Sequence, residues 1–250
     1  MLPAWRPVPS FGSTMIIFGI FGLIFLTLGI TLYVMSEKIQ GVVYQYDKCS
    51  TAPTTCTSVI EIDSDIPAPI YVYYQLDNFY QNHRRYVKSR SNEQLMGNEL
   101  SVSQLSDCDP ITTNANLATG KILAYDKTTE LKGDDPAFPC GLVAKSYFND
   151  TFELWTMVED QPSENITIAD NDIAWDSDVK YKFKNLPGDW ESKQWTDIEN
   201  RKLHSSDELI IFFVIEHFIV WMRTAGLPNF RKLYGKVTED LKKGKYELKI

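Results

Sequence analysis

One long apolar segment near the N-terminus constrains this chain more than any other feature. No charged residue lies between Arg6 and Glu37, and residues 14–35 are rich in Ile, Leu, Phe and Gly. Roughly 20 apolar residues in a helix cross the ~30 Å hydrocarbon core of a bilayer. Trp5 and Tyr33 lie near the two ends of the segment, where interfacial aromatic residues are common. The sequence therefore predicts a transmembrane helix.

A cleaved signal peptide is the main alternative for this segment. Signal peptides have a shorter apolar core, about 7–15 residues long, followed by a small-residue cleavage site. The apolar run here is longer, and Tyr-Val-Met-Ser-Glu at 33–37 does not resemble such a site. A buried core helix is a second alternative, but the uncharged run is too long for one. An uncleaved anchor is favoured.

Two N-glycosylation sequons follow the anchor. Asn149 and Asn165 each begin an N-x-[ST] motif without proline, which is an acceptor in secretory compartments. The sequons place the large domain on the lumenal or extracellular side of the membrane. We therefore predict a short cytosolic segment, a transmembrane helix and a glycosylated domain, over residues 1–13, 14–35 and 36–250.

The four cysteines are an even set, which favours disulfide bonds in such a domain. Three pairings are possible, and local pairing is the simplest: Cys49 with Cys56, and Cys108 with Cys140. None of the spacings between them matches a zinc site, so we predict no metal there.

No signature of catalysis accompanies these features. The three histidines, His83, His204 and His217, have no metal-ligand spacing with another His or Cys. There is no nucleophile elbow and no phosphate-binding glycine-rich loop, so we predict no catalytic site and no cofactor. The net charge of −8 argues against a nucleic-acid partner, which would require clustered Lys and Arg. A carboxylate pair for glycoside hydrolysis stays open, because acidic residues are abundant.

One short motif resembles a catalytic sequence without its context. Residues 126–129, Asp-Lys-Thr-Thr, are similar to the phosphorylation sequence of P-type ATPases, Asp-Lys-Thr-Gly-Thr. The glycine is missing, and the segment belongs to the predicted lumenal domain. We interpret it as a solvated turn.

Short β-rich runs separated by Pro and Gly predict a mainly β fold, an antiparallel domain with a few short helices. Residues 80–95 are polar enough for a solvent-facing helix or an ordered loop. The predicted strands are Ile70–Tyr74, Thr151–Val158, Lys180–Lys184, Phe218–Met222 and Tyr246–Ile250.

The segment 209–222 is apolar except for Glu216 and His217. It is too short for a second membrane span, and charges at bilayer depth cost several kcal/mol. A capping box at Ser205–Glu208 favours a helix, whereas the β-branched and aromatic run favours a strand. We predict a buried strand from Glu216 onward and leave 209–215 open.

Five long motifs occur in order along nearly the whole chain: Leu2–Pro7, Tyr73–Tyr86, Pro139–Thr151, Ile173–Asp178 and Phe218–Pro228. Together they resemble the cell division control protein 50 / ligand-effect modulator 3 family, the accessory beta subunits of phospholipid flippases. Because each motif is long, the resemblance is far more specific than a short regular expression.

The resemblance implies a non-catalytic protein with two membrane spans, cytosolic termini and a disulfide-bonded exoplasmic domain. It implies a phospholipid-translocating P-type ATPase as the partner, besides membrane lipids. The accessory subunit would help the ATPase leave the endoplasmic reticulum and support its catalytic cycle. The expected location is the endoplasmic reticulum, the Golgi or endosomal system, or the plasma membrane.

The chain departs from the family pattern in three places. It begins at Met1 without the usual cytosolic tail, and it ends at Ile250 before a second span. Residues 209–215 look like an apolar addition. Because the second span is missing, we expect either a C-terminally truncated chain or a divergent form.

The expected site is a partner interface. Tyr, Asn, Gln and Arg occur together in the second motif, a composition enriched at protein interfaces. The alternative is that Tyr73, Phe79 and Tyr80 are core aromatics and that the two arginines form surface ion pairs. The predicted interface residues are Asn78, Phe79, Tyr80, Gln81, Asn82, His83, Arg84 and Arg85.

Two further surfaces are candidates for contact. Gly22 and Gly29 lie one heptad apart in the apolar segment and leave room for close approach of a partner helix, although glycine is also common in membrane spans. A set of lysines near the C-terminus, Lys232, Lys236, Lys242 and Lys243, faces either lipid headgroups or, preferably, solvent.

Two other classes of function stay open. One is a membrane-anchored lumenal enzyme such as a glycosidase, which would need a cleft with two convergent carboxylates. The other is a cell-surface receptor or adhesion module, which would bind a soluble ligand and need no membrane partner.

Overall fold

The computed structural model describes residues 10–49, 56–118, 121–148, 150–195 and 216–250. The predictions for residues 209–215 and for Asn149 lie outside this part of the chain. The chain divides into two compact units, Met1–Lys48 and Cys49–Ile250, which are described separately.

The first unit is built on one long helix, α1, Phe11–Glu37. Ser10 caps its N-terminus, since the Ser10 hydroxyl oxygen accepts a hydrogen bond from the Ser13 N–H at 3.2 Å. None of its residues is buried, and it is long and apolar enough to cross a membrane. The predicted anchor over 14–35 lies within this helix.

The second unit is mainly antiparallel β structure with a few short helices, as predicted. Its strands are β1 Thr57–Ile62, β2 Ile70–Leu76, β3 Glu153–Val158, β4 Gln161–Ile166, β5 Phe230–Val237 and β6 Gly244–Lys249. One sheet has the order β1-β6-β3-β4 and the other pairs β2 with β5. Both sheets join the N-terminal and C-terminal parts of the unit, because β6 pairs with β1 and β5 pairs with β2.

In the described part of this unit, five short helices connect and cover the sheets: α2 Arg84–Lys88, α3 Asn92–Leu95, α4 Leu142–Lys145, α5 Asp176–Tyr181 and α6 Glu216–Met222. The first two divide the segment 80–95, which was expected to be a solvent-facing helix or an ordered loop. That expectation is only partly right, because Gln94 and Leu95 are buried.

The predicted strand at 180–184 is wrong. Helix α5 continues to Tyr181, and the chain then leaves the helix. Asp178, in its first turn, pairs with Lys182 one turn later, at 2.6 Å between Oδ1 and Nζ. The alternating pattern did not reflect a half-buried strand, because Phe183 is buried while Tyr181 is 70% exposed.

The predicted strand from Glu216 is also wrong, since this segment is helix α6. Four of its seven residues are buried, so core packing surrounds most of the helix rather than one face. Burial of this kind removes the polar positions from which a helical period is recognised. Tertiary packing thus overrides the β propensity of the β-branched and aromatic side chains.

Among the described residues of the second unit, three hydrophobic clusters form the core. The first surrounds α6, and the third lies against the four-stranded sheet. The second surrounds the Cys108–Cys140 disulfide, whose cysteines are 0% and 2% exposed. A Cys49–Cys56 disulfide is also present, so both local pairs occur in the structure.

The sequence at 126–129 forms a turn, as predicted. The Asp126 carboxylate accepts hydrogen bonds from the backbone N–H groups of Thr128 and Thr129. The Thr129 hydroxyl donates a third, which lowers the pKa of Asp126 to about 2. The carboxylate is therefore engaged in local turn structure.

Candidate partner interface

The predicted interface residues lie mainly in the loop between β2 and α2, residues 77–83. This loop lies against residues 223–229, which connect α6 to β5. The two loops meet because β2 and β5 pair in antiparallel register, with Leu76 opposite Phe230 at the end of the ladder.

Backbone groups of the first loop bond to the end of the second. The Asn78 N–H donates to the side-chain oxygen of Asn229 at 2.9 Å. The Phe79 N–H donates to the Pro228 carbonyl oxygen at 3.0 Å. Asn78 has φ +60°, a left-handed conformation that asparagine tolerates better than most residues. The chain therefore turns sharply at Asn78 and stays attached to its neighbour.

Side chains of the first loop bond to the start of the second. The oxygen of the Gln81 side chain accepts a hydrogen bond from the Ala225 N–H at 2.8 Å, and Gln81 is 0% exposed. The Asn82 side-chain nitrogen donates to the Gly226 carbonyl oxygen at 2.9 Å. The two loops are thus held together along their length.

Phe79 anchors the first loop to the core. Its ring makes edge contacts with the rings of Tyr86, Trp221 and Phe230, with centroids 5.7–6.2 Å apart. Trp221 is itself fixed, since its indole N–H donates to the Val143 carbonyl oxygen at 2.8 Å. Aromatic packing of this kind gives the loop a rigid base.

The remaining predicted residues point to solvent and form what we call the paired-loop surface. Tyr80 is 57% exposed, and Leu227 of the second loop is 70% exposed beside this set. Among the described residues, no carboxylate lies within ion-pair distance of Arg84 or Arg85. The members of the surface are Asn78, Tyr80, Asn82, His83, Arg84, Arg85 and Leu227.

The structure therefore separates the eight residues into two groups. Phe79 and Gln81 face inward, while the other six are exposed. The alternative assignment to the core holds for Phe79 alone, because Tyr73 and Tyr80 are 52% and 57% exposed.

Sequence reasoning missed an adjoining aromatic strip on the outer face of the two-stranded sheet. Tyr71 and Tyr73 are each about half exposed, at 53% and 52%. Next to them the Arg231 Nε donates to the Gln75 side-chain oxygen at 2.8 Å. The alternation of exposed and inward side chains along β2 was the available signal, since it places Tyr71, Tyr73 and Gln75 on one face.

A buried lysine holds the start of the second loop. Lys232 is 6% exposed, and its ammonium group donates to the carbonyl oxygens of Val220, Trp221 and Arg223 at the end of α6. Burial lowers the pKa of Lys232 to about 8. The expectation that this lysine faces solvent or lipid is wrong, because the C-terminal carbonyls of α6 need a donor inside the core. Lys242 and Lys243 are exposed, as expected.

The predicted contact glycines of α1 and the predicted glycosylation site at Asn165 lie at open positions. At Gly22 and Gly29 of α1, a Cβ atom would meet nothing within 4 Å. Asn165 has an exposed side chain in β4, which ends its sheet.

Of the two described histidines, one is exposed and one is partly buried. His83 is exposed before α2, and His217 is partly buried with its ring stacked on Tyr234 at 4.5 Å. Burial lowers the pKa of His217. Within the described ranges, no group of three or more His, Cys, Asp or Glu side chains is arranged to hold a metal ion.

The chain is similar to one family model and to several curated proteins. The LEM3 (ligand-effect modulator 3) / CDC50 family model matches residues 32–250. Putative ALA-interacting subunit 2 of Arabidopsis thaliana is 37% identical over 98% of this chain and 68% of its own length. Cell cycle control protein 50A of Bos taurus is 34% identical over 100% of this chain and 72% of its own length. Cell cycle control protein 50B of Homo sapiens is 31% identical over 100% and 76%.

The chain spans roughly two thirds to three quarters of the length of these relatives. The match extends from within α1 to the final strand and includes both loops of the paired-loop surface. The chain belongs to the LEM3/CDC50 family.

Proposed function

We propose that this protein is a non-catalytic accessory subunit of a phospholipid-translocating P-type ATPase. The observation that carries the proposal is membership of the LEM3/CDC50 family over residues 32–250. Relatives named ALA-interacting subunits support a role in binding a partner protein. The apolar helix α1 is in keeping with a partner that is also a membrane protein.

The paired-loop surface is the proposed exoplasmic contact. It exposes Tyr80 and two arginines, residue types that often dominate binding energy at interfaces. Hydrogen bonds to the second loop and the packing of Phe79 hold these side chains in place before binding. Binding to a preorganised surface loses less conformational entropy, so more of the contact energy appears as affinity.

The second proposed contact is the glycine-containing side of α1. Gly22 and Gly29 leave space for a neighbouring helix to approach closely. Lipid chains are as apolar as leucine, so hydrophobic burial contributes little to helix association in a bilayer. The exoplasmic surface should therefore supply much of the affinity.

In a cell the subunit would assist folding of the ATPase, its exit from the endoplasmic reticulum and its lipid transport. The large domain would be lumenal or extracellular, in the endoplasmic reticulum, the Golgi or endosomal system, or the plasma membrane. The exposed Asn165 sequon and the two disulfides support that orientation.

The test is purification of the full chain from its host in mild detergent, followed by identification of bound proteins. A P-type ATPase should co-purify, and loss of the chain should retain that ATPase in the endoplasmic reticulum and reduce lipid translocation. If the ATPase reaches its destination and moves lipid equally well without the chain, or if the isolated chain turns over a substrate, the proposal is wrong.

A further inference from the structure

A cavity of about 420 Å³ opens between α3, α5 and the end of α6. Its size lies within the range of about 300–1,000 Å³ that small-molecule sites occupy. Three cationic side chains line it, Arg90, Lys182 and Arg223, together with the carboxylate of Asp178. Because the whole chain has a net charge of −8, this local positive excess does not follow from its composition.

Buried contacts fix the position of two of these cations. The Asp178 side chain is 2% exposed and bridges Arg223 and Lys182, at 2.5 Å from Oδ2 to Nε and 2.6 Å from Oδ1 to Nζ. The hydrogen bond from Arg223 lowers the pKa of Asp178, so the carboxylate is ionised at neutral pH. Both cations keep further N–H donors beyond these contacts.

The third cation is held by the end of α6. The Arg90 guanidinium donates to the Met222 carbonyl oxygen at 2.8 Å. Among the lining residues that the structure describes, three positive charges therefore face a single carboxylate. A second negative charge, supplied by a ligand, would complement the site.

The rest of the lining is mixed, with Asn92 and Thr224 beside four apolar residues. Met96 is 41% exposed, whereas Leu95, Phe183 and Met222 are buried and offer little carbon surface to a ligand. Inorganic phosphate would leave the Met96 side chain uncovered, whereas an organic anion would bury it. Cationic donors next to an exposed apolar side chain suit an amphipathic anion.

We propose that this cavity binds the phosphate group of an organic phosphate ester, with the apolar part of the ester against Met96. Guanidinium groups bind phosphate oxygens in a bidentate way, and Lys182 adds a point charge. The ester group is common to soluble phosphate monoesters and to phospholipid headgroups, and the choice of probes separates these two sources. The site is distinct from the paired-loop surface and does not depend on the proposed ATPase partner.

An exposed tryptophan provides a signal for binding. The Arg223 guanidinium carbon lies 4.8 Å from the ring centre of Trp175, which is 66% exposed. An anion bound by Arg223 would weaken its attraction to the ring, because part of the positive charge would be neutralised. Binding should therefore change the fluorescence of Trp175, and Trp175→Phe should remove that change.

The experiment uses the full chain in a non-ionic, phosphate-free detergent and calorimetric titration. The probes are phenyl phosphate, inorganic phosphate and dihexanoyl phosphatidic acid. An ester should bind saturably with a Kd between about 10 µM and 1 mM, more tightly than inorganic phosphate. Tighter binding of phenyl phosphate indicates a soluble ester, and tighter binding of phosphatidic acid indicates a lipid headgroup.

Two variants and a matched control test the location. Lys182 and Met96 are exposed, and Asp178 keeps its pair with Arg223 when Lys182 is replaced, so Lys182→Gln and Met96→Glu should fold. The first should weaken ester binding at least about fivefold and the second should abolish it. Lys180→Gln makes the same charge change on α5 outside the cavity lining and should leave the Kd unchanged.

The proposal is wrong if neither ester binds saturably to the wild type. It is also wrong if Lys182→Gln and Met96→Glu both leave binding unchanged, or if Lys180→Gln weakens binding as much as Lys182→Gln does. Thermal unfolding of each variant, with both disulfides formed, establishes that the comparison is between folded proteins.

Discussion

The side-chain oxygen of Gln81 accepts a hydrogen bond from the backbone N–H of Ala225, a residue 144 positions later in the chain. Gln81 is fully buried, although it lies between Tyr80 and Asn82, which are exposed. One inward polar side chain thus fixes the loop whose neighbouring side chains form the paired-loop surface. Positioning of the loop and the proposed recognition of a partner are therefore divided between adjacent residues.

Replacement of Gln81 should destabilise the protein much more than replacement of its neighbour. Gln81→Ala leaves the Ala225 N–H without its acceptor and opens a buried cavity, so we expect a loss of about 2–3 kcal/mol in unfolding free energy. Asn82→Ala removes an exposed hydrogen bond and should cost about 1 kcal/mol or less. Thermal and denaturant unfolding of the full chain measure both. Equal losses would contradict the role given to Gln81.

The two disulfides should differ in their contribution to stability. Cys49–Cys56 closes a separation of 7 residues and Cys108–Cys140 one of 32. In the chain-entropy model each stabilises by roughly 2–4 kcal/mol, and the longer loop gains more. Replacing each pair by serine, with unfolding followed by circular dichroism, should show the larger loss for Cys108–Cys140. Peptide mapping without reduction should find these two links, and a Cys56–Cys108 link would contradict the assignment.

Strands β2 and β3 could be predicted from their β-branched and aromatic runs, and β6 from its alternation of apolar and charged residues. Strand β4 could not, since five of its six residues are exposed and it contains Pro162. Helix α6 was mistaken for a strand because it is buried on most sides and shows no helical period. For α6, tertiary packing rather than local propensity decided the structure.

The candidate site, too, could be predicted only in part from the sequence. Composition drew attention to 78–85, but it could not tell which residues turn inward. Phe79 and Gln81 face the core because their partners come from residues more than 140 positions away. Such pairing is set by the register of β2 with β5, which no local pattern in the sequence reports.

The buried Lys232 should produce a recognisable dependence of stability on pH. Burial lowers its pKa from 10.5 to about 8 in the folded protein. Between these values the unfolded chain binds a proton that the folded protein does not, so stability should rise with pH above about 8. Lys232 can contribute at most about 1.4 kcal/mol per pH unit to the slope of the unfolding free energy against pH.

Comparison with Lys232→Met isolates the contribution of this group. The difference in unfolding free energy between wild type and variant, measured from pH 7 to 9.5, removes the groups that both proteins share. This difference in unfolding free energy should become more favourable to the wild type as the pH rises through 8. A difference that stays flat or shifts the other way would show that Lys232 keeps an ordinary pKa.

Both sequons should carry N-glycans in a eukaryotic host. Asn165 is exposed on an edge strand, where a transferase can reach the side chain. Glycosidase treatment of the membrane-embedded protein should increase its electrophoretic mobility, and Asn149→Gln and Asn165→Gln should each remove one glycan. The absence of a shift in every sample would contradict the lumenal orientation.

The central claim is that the paired-loop surface binds the ATPase. The variant Tyr80→Ala/Arg84→Ala/Arg85→Ala changes only exposed side chains of that surface. Its matched control, Tyr181→Ala/Lys180→Ala/Lys184→Ala, likewise removes one tyrosine and two cationic side chains from another exposed part of the second unit. Gly22→Leu tests the contribution of α1. Each variant must first unfold at the wild-type temperature and glycosylate normally.

The most direct measurement is quantitative co-purification of the ATPase with these variants in mild detergent. The paired-loop variant should retain no more than roughly a tenth of the ATPase bound by the wild type, as expected for the loss of interface anchors. Gly22→Leu should lose less, and the matched control should bind as the wild type does. If the paired-loop variant binds the ATPase as the wild type does, the surface is not the contact. The same conclusion follows if the matched control loses as much bound ATPase as the paired-loop variant.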